Sequence, residues 1–308
     1  MTQKNLAQLV GSATVLACTL VIAAPQARAG QLYQDWNYGI DAVGDGSGGS
    51  KYDIKGLAVK QTADSIFVGL TGGSPITGAS ERSAADGNVG FGDLFFNFSG
   101  KDFQTAEQDG DIFGIRFAGT NDSGASQVGL YSNVSTKSVT STNAGYDNLK
   151  RYYDKGYGKA NTMGTDIATE SEAYTYLYGA DAGANPTNNN TTVTNVIDSG
   201  NFLGGINLLD GNQLASAGLD FGHFNASGSH TFGFQFDKSL LSSALPGGIS
   251  PFVAHLLMEC ANDAIALKGN IELEEVEVSD VPEPATAGAL GLLATSILGL
   301  GKKRKKVS

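Results

Sequence analysis

The sequence predicts an all-β protein, specifically an antiparallel β-sandwich with a jelly-roll-like arrangement of strands. Three observations support this. Glycine is abundant, with 42 of the 308 residues. Apolar and polar residues alternate over short segments, and these segments end at Gly, Asn, Asp or Ser, as in antiparallel sheets. Runs of apolar residues with helical spacing are scarce.

The clearest strand is predicted over 231–237, where three aromatic residues share one face: Phe232, Phe234 and Phe236. The intervening residues are mostly polar, which is the pattern of a half-buried strand. Segment 65–70 differs, because Phe67 is apolar on the face opposite to Ile66 and Val68. Both faces of this strand then carry apolar side chains that must be buried, so we expect it to lie in the middle of a sheet.

Eight strands are predicted in all. They are Ile54–Val59, Ser65–Leu70, Asp93–Phe98, Ile112–Phe117, Gln127–Tyr131, Thr231–Asp237, Pro251–Glu259, and Ala264–Val278 in two pieces. Within 252–260, the even-numbered positions are all apolar and are predicted to face the core. Cys260 belongs to that face, which predicts a buried and unreactive thiol.

The middle of the chain has a different composition. Residues 121–201 are rich in Ser, Thr, Asn and Tyr, and seven of the eleven tyrosines lie in 146–178. We expect a loop-rich insertion in the sandwich domain, or alternatively a separate second domain. Within it, a basic and aromatic segment is a candidate contact for glycans or partners, consisting of Lys150, Arg151, Tyr152, Tyr153 and Tyr157. The alternative is that these tyrosines pack on the sheet.

The N-terminus has the pattern of a secretory signal peptide over residues 1–29. A positive charge at Lys4 precedes a mostly apolar stretch, and Ala27 and Ala29 form a small-x-small cleavage site. Cys18 lies in a poor match to a lipoprotein box, so cleavage after Ala29 is favoured. The domain over 30–280 is therefore predicted to be exported. Once Cys18 is removed, only Cys260 remains, and no internal disulfide is expected.

The C-terminus combines three features in order over 281–308. A short motif comes first, formed by Val281, Pro282, Glu283 and Pro284. An uncharged apolar run over 285–301 follows; at ~1.5 Å per residue it reaches ~26 Å, slightly less than a ~30 Å hydrocarbon core. Five cations end the segment: Lys302, Lys303, Arg304, Lys305 and Lys306. They are expected to remain at the cytoplasmic face and fix the orientation of a membrane helix.

This C-terminal segment resembles the PEP-CTERM sorting signal of exosortase substrates in Gram-negative bacteria. The resemblance covers 281–308 and no other part of the chain. It implies that the helix enters the inner membrane transiently, and that an exosortase cuts near Pro282–Pro284. The chain would be membrane-anchored before processing and would then reach the cell surface or the extracellular space. A permanent single-pass anchor is the alternative interpretation.

The charge of the exported domain limits its partners. Without the two terminal segments, 13 basic and 30 acidic residues remain, a net charge of −17. Such a domain repels nucleic acid and anionic membranes and attracts divalent cations. Several aspartates in glycine-rich loops are candidate Ca²⁺ ligands. They are Asp41, Asp45, Asp53, Asp86 and Asp93. The same residue types form ordinary tight turns, and no other cofactor is expected.

No constellation of catalytic residues is evident in the sequence. It has no Gly-x-Ser-x-Gly elbow with following Asp and His, no His-Glu-x-x-His and no Cys-x-x-Cys. We therefore expect a non-enzymatic component of the cell surface or the exopolysaccharide matrix. The alternatives are an extracellular carbohydrate-binding module and, third, a secreted hydrolase.

Overall fold

The computed structural model describes residues 30–42, 44–46, 50–155, 161–186 and 189–274. Its strands are antiparallel throughout, and the all-β class is confirmed. The predicted signal peptide and the sorting segment lie outside the described residues. Within the described ranges, no helix is long and apolar enough to cross a bilayer.

Two six-stranded sheets form the body of the protein. Across the first sheet the order is β1 (Gln31–Tyr33), β2 (Trp36–Ile40), β3 (Ile54–Gln61), β4 (Ser65–Gly72), β12 (His230–Asp237) and β11 (Asn207–Asp210). Across the second it is β10 (Val196–Gly204), β9 (Gly129–Lys137), β8 (Ile112–Arg116), β7 (Leu94–Asn97), β13 (Gly248–Leu257) and β14 (Ala264–Leu273). A small hairpin pairs β5 (Ala79–Ser80) with β6 (Asn88–Val89).

The strand order corrects the jelly-roll-like expectation. Jelly rolls are double-sheet folds built from Greek keys. Here β1 to β4 are successive neighbours in the first sheet, and β7 to β10 are successive neighbours in the second. The chain then returns to each sheet once, with β12 beside β4 and β13 beside β7. Strands that follow one another in the chain thus lie side by side, as is usual, although residues 138–195 separate β9 from β10.

The two sheets share one hydrophobic core, which is supplied by their facing sides. Phe234 of β12 stacks on Phe117, with ring centroids 5.6 Å apart. Phe232 contacts Phe91 edge-on at 5.2 Å. The even-numbered residues of β13 and the turn after it lie in the same core, as predicted: Phe252, Ala254, Leu256, Met258 and Cys260. Cys260 is 1% exposed, and burial raises the pKa of its thiol to about 12.

Most of the short helices cover the outer faces of the two sheets. The described helices are α1 (Phe103–Gln108), α2 (Leu149–Lys155), α3 (Glu170–Tyr178), α4 (Ala180–Ala184), α5 (Gly211–Ser216) and α6 (Ser239–Ser242), with a 3₁₀ turn at Phe221–Phe224. Residues of α1, α2 and α3 form a second core with the outer face of the second sheet. Leu214 of α5 and Phe221 form a third core with Trp36 and Tyr38 of the first sheet. The expected central strand is confirmed: β4 lies between β3 and β12, and Phe67 packs edge-on against Trp36.

The predicted loop-rich insertion is more regular than expected. Strands β9 and β10 belong to the second sheet, so residues 121–201 are not a separate domain. Helix α3 begins at a capping box, because the Thr169 side chain accepts from the Glu172 backbone and Glu172 bonds back to Thr169. It ends at Gly179, whose φ of 92° favours glycine. The capping box and the terminal glycine stabilise the two ends of α3, although the segment has little helical periodicity of apolar residues.

Candidate functional site

Three buried aspartates converge at one end of the two sheets. Asp41, Asp45 and Asp263 each offer a carboxylate oxygen, and these oxygens lie within 4.8 Å of one another. The three residues are 5%, 3% and 1% exposed. Carboxylates are rarely buried without a partner that compensates their charge. The cluster is therefore the main candidate site in the described part of the chain.

The two sheets supply these residues from irregular segments at strand ends. Asp41 directly follows β2, and Asp263 directly precedes β14. The backbone N–H of Ile54, at the start of β3, donates to Asp263 Oδ2 at 2.5 Å. The N–H of Ala264 donates to Asp263 Oδ1 at 2.8 Å. Asp263 therefore connects the first sheet to the second.

The segment after α2 fixes the other two carboxylates. Thr162 Oγ1 donates to Asp41 Oδ1 at 2.6 Å, and the Thr162 N–H donates to Asp45 Oδ2 at 3.1 Å. The Gly164 N–H also donates to Asp41 Oδ1, at 3.0 Å. Each of these bonds uses one oxygen of the carboxylate and leaves the other oxygen available.

Tyr152 of α2 adds a phenolic oxygen to the same place. Its hydroxyl lies 2.6 Å from the Thr162 carbonyl and 3.4 Å from both Asp45 Oδ2 and Asp263 Oδ1. A phenol hydroxyl has one hydrogen to donate, and the shortest contact indicates that it points mainly towards the Thr162 carbonyl oxygen. Asp45 Oδ2 and Asp263 Oδ1, each 3.4 Å away, are more distant and weaker acceptors of the same hydroxyl.

A close backbone approach holds the loop that carries Asp45. Gly46 has φ of 60°, and a Cβ at this position would lie 1.7 Å from the carbonyl oxygen of Asn262. The Gly46 N–H donates to Asn161 Oδ1 at 2.7 Å. Only glycine permits this approach, so the loop is fixed against the turn that precedes Asp263.

Two carboxylate oxygens of the cluster have no hydrogen-bond partner among the described residues. These are Asp41 Oδ2 and Asp45 Oδ1, both buried. Among the residues that the structure describes, no Lys, Arg or His nitrogen lies within 4.0 Å of the three carboxylates. The cluster thus has oxygen acceptors in excess and no described side chain that neutralises it.

The electrostatics of the cluster agree with this geometry. Burial raises the pKa of Asp41 and of Asp263 well above the usual carboxyl range, and repulsion between the carboxylates adds to the shift. Burial raises the pKa of Asp45 to about 6, and the charge of Asp53 adds to the increase. Three negative charges are therefore unfavourable here unless a proton or a cation joins them.

The five predicted Ca²⁺ ligands separate into different environments. Asp41 and Asp45 are in the cluster, together with Asp263, which the sequence did not single out. Asp53 Oδ1 accepts from the Gly44 N–H at 2.9 Å, so Asp53 supports the Asp45 loop. Asp86 is exposed, and its carboxylate accepts from the Asn88 N–H at 2.9 Å in a tight turn. Asp86 therefore lies in a turn of its own, apart from the three buried carboxylates.

Asp93 is also corrected from a candidate ligand to a structural residue. Its buried carboxylate accepts from Asn121 Nδ2 at 2.8 Å, Ser123 Oγ at 2.6 Å and the Ile197 N–H at 2.7 Å. Burial nevertheless raises its pKa to about 6, which these hydrogen bonds partly offset. Three donors satisfy the carboxylate, so Asp93 fastens the 121–123 loop and β10 to the start of β7.

The predicted glycan-contact segment is largely turned inward. Tyr152 is 1% exposed and packs in the second core, so its ring is not available to stack on a sugar. Tyr153 is partly buried against the same core, and Tyr157 lies outside the described residues. Lys150 pairs with Asp154, and Arg151 pairs with Asp147 at 3.3 Å. Tyr152 and Tyr153 therefore pack against the second core, as the alternative interpretation expects for the tyrosines.

A surface cleft of about 360 Å³ lies between the second sheet and α3. Its polar side chains include Asn97, Lys101, Asp102, Lys268 and Asn270. Asp102 is the carboxylate among the lining residues, and it already accepts from the Thr105 N–H as the cap of α1. The cleft therefore does not present the paired carboxylates that glycoside hydrolysis requires.

Comparisons of the chain with models of protein families, with curated proteins and with solved structures gave no match.

Proposed function

We propose that the chain is an exported, non-enzymatic protein that an exosortase processes, and that the folded domain then serves as a component of the cell surface or exopolysaccharide matrix. The observation that carries the proposal is the order of features in 281–308. The Pro-Glu-Pro motif, the apolar run over 285–301 and the five terminal cations follow one another without interruption.

Properties of the folded domain support this proposal. A net charge of −17 over 30–280 favours solubility outside the cell and repels anionic membranes once the apolar segment is removed. The two packed sheets, which we interpret as a β-sandwich, have helices over both outer faces. Aliphatic and aromatic side chains together form the three cores, and Cys260 is a free thiol in the described part of the chain, so no disulfide holds the described fold.

Replacement of the sorting motif tests the proposal. We expect the variant Val281→Ala, Pro282→Ala, Glu283→Ala, Pro284→Ala to remain in the inner-membrane fraction, because the apolar run and its cations are retained while the processing site is lost. The wild-type chain should appear at the surface or in the medium. Immunoblots of fractionated host cells measure both.

A matched control changes two acidic residues elsewhere on the surface. Asp109 is exposed, Asp111 is partly exposed, and both pair with Lys101. The variant Asp109→Ala, Asp111→Ala should reach the surface like the wild-type protein. The proposal is wrong if the motif variant also leaves the membrane at the wild-type level.

A further inference from the structure

We propose that Asp41, Asp45 and Asp263 bind one Ca²⁺ ion, which joins the β2–β3 loop, the β13–β14 turn and the segment after α2. The proposal concerns the folded domain alone and does not depend on how the chain is exported. It rests on three steps, which concern the charge of the cluster, its unpartnered oxygens and the type of ion that fits them.

The first step is charge. Three carboxylates are held within 4.8 Å, and each is at least nine-tenths buried. Burial of an ionised carboxylate is costly unless a positive charge lies beside it. In the described part of the chain, no Lys, Arg or His nitrogen lies within 4.0 Å of the three carboxylates, and Lys55 Nζ lies 4.0 Å from Asp53, outside the cluster. A bound cation is therefore the natural partner.

The second step is the direction of the hydrogen bonds. Thr162 and Gly164 bond to Asp41 Oδ1, and the Thr162 N–H bonds to Asp45 Oδ2. Both residues are thus fixed through one oxygen, while Asp41 Oδ2 and Asp45 Oδ1 are buried without a donor from the part of the chain that the structure describes. Buried polar atoms are seldom left unsatisfied in this way. Two such atoms in one cluster of acids indicate a ligand that accepts electron pairs.

The third step is the identity of the ion. The ligand atoms are all oxygens, which favours a hard cation over zinc or copper. Ca²⁺–oxygen distances of about 2.3–2.6 Å allow ligands up to ~5 Å apart, so oxygens within 4.8 Å can share one ion. Mg²⁺ requires near-ideal octahedral geometry and retains several waters, which a buried site built from irregular loops does not favour.

A shared proton is the competing explanation. Asp41 and Asp263 are close enough for a hydrogen bond between their carboxyl groups, and such a bond needs one of them to be protonated. A proton would neutralise one charge but would leave the stability of the protein independent of Ca²⁺. The two explanations therefore differ in a measurement on the wild-type protein.

The experiment uses protein purified from its host and stripped with EDTA. Isothermal titration with CaCl₂ at pH 7.5 is expected to show one site with a Kd of about 0.1–1 mM, the range of extracellular Ca²⁺ modules. Addition of 10 mM CaCl₂ should raise the Tm by about 3–10 °C, and 10 mM MgCl₂ should raise it less. Absence of a Ca²⁺-dependent heat and of a Tm shift would overturn the proposal, whatever any variant does.

Two substitutions locate the site. Asp41→Asn and Asp45→Asn preserve the oxygen that accepts from Thr162 and replace only the unpartnered oxygen, so both variants should fold. In EDTA, Asp41→Asn should melt at a temperature equal to or above that of the wild type, because one of three repelling charges is removed. Both variants should lose the Tm rise with CaCl₂.

Asp198→Asn is the matched control, because its side chain is 57% exposed and pairs loosely with Lys137. It should keep the full response to CaCl₂. A response that persists in Asp41→Asn and Asp45→Asn would show that Ca²⁺ binds elsewhere and would contradict the assignment. A response lost in the control as well would also contradict it, since the effect would then follow total charge.

Discussion

Phe234→Ala is expected to lower the free energy of unfolding by about 4 kcal/mol, the size of effect that large-to-small changes of buried aromatic residues produce. Phe234 is 0% exposed and lies in the core between the two sheets. Its ring stacks on Phe117, which directly follows β8 of the second sheet. Phe232 and Phe236, the neighbouring residues on the same face of β12, are also buried. The removed ring would leave a cavity in this core.

Urea unfolding followed by circular dichroism measures this loss. Gln235→Ala is the matched control, because Gln235 is the next residue of β12 and points to the opposite face of the sheet. It should change stability by less than about 1 kcal/mol. Similar losses in both variants would contradict the assignment of the inner face.

Tyr152→Ala is expected to have a comparable effect, about 3–5 kcal/mol, with no specific effect on glycan retention. The ring packs in the second core and is 1% exposed, and the hydroxyl bonds to the Thr162 carbonyl at 2.6 Å. The substitution removes both the packing and the contact with the carboxylate cluster. A surface stacking role predicts the opposite result, in which retention is lost while stability is kept.

Arg151→Ala provides the control for Tyr152→Ala. Arg151 is the preceding residue, its side chain is 52% exposed, and it forms a single exposed ion pair with Asp147. Exposed pairs contribute about 0–1 kcal/mol, so the variant should unfold close to the wild type. Thermal melts and retention on immobilised exopolysaccharide, measured for both variants, separate packing from recognition.

Strand β13 shows how far alternation in the sequence predicts the fold. The even-numbered side chains face the core between the sheets, as their apolar character predicts. The other face is buried as well: His255 is 0% exposed and accepts or donates a hydrogen bond with Tyr176 at 2.8 Å. That burial depends on α3, which is more than seventy residues earlier in the chain. The alternation of residues within β13 cannot predict that a helix distant in sequence covers its outer face.

Three strands that the sequence did not predict, β10, β1 and β11, depart from the regular alternation in ways that the structure explains. β10 pairs with β9 through three shifts of register, and these shifts disrupt the regular alternation of side chains. β1 and β11 are short edge strands with exposed apolar residues, Leu32 and Leu208. An edge strand pairs with one neighbour only and is partly exposed, so its sequence does not have to show the apolar pattern by which a central strand is recognised.

The candidate site was predictable only in part. Asp41 and Asp45 lie in a glycine-rich loop, which is a recognisable source of oxygen ligands. Asp263 lies in a short turn between two strands, where Asp is an ordinary turn residue. Its place in the cluster results from the packing of the two sheets, which brings together residues 222 positions apart. The contribution of Thr162 depends in the same way on the packing of α2.

Intact-mass spectrometry of the protein recovered from the exterior of its host tests the central claim most directly. The claim is that the chain is exported and then separated from its C-terminal anchor. We expect a chain that begins at Gly30 and ends near Pro282–Pro284 in an exosortase-positive strain, and a retained C-terminus in a strain without exosortase. Surface protein that still carries Lys302–Lys306 in the exosortase-positive strain would contradict the account.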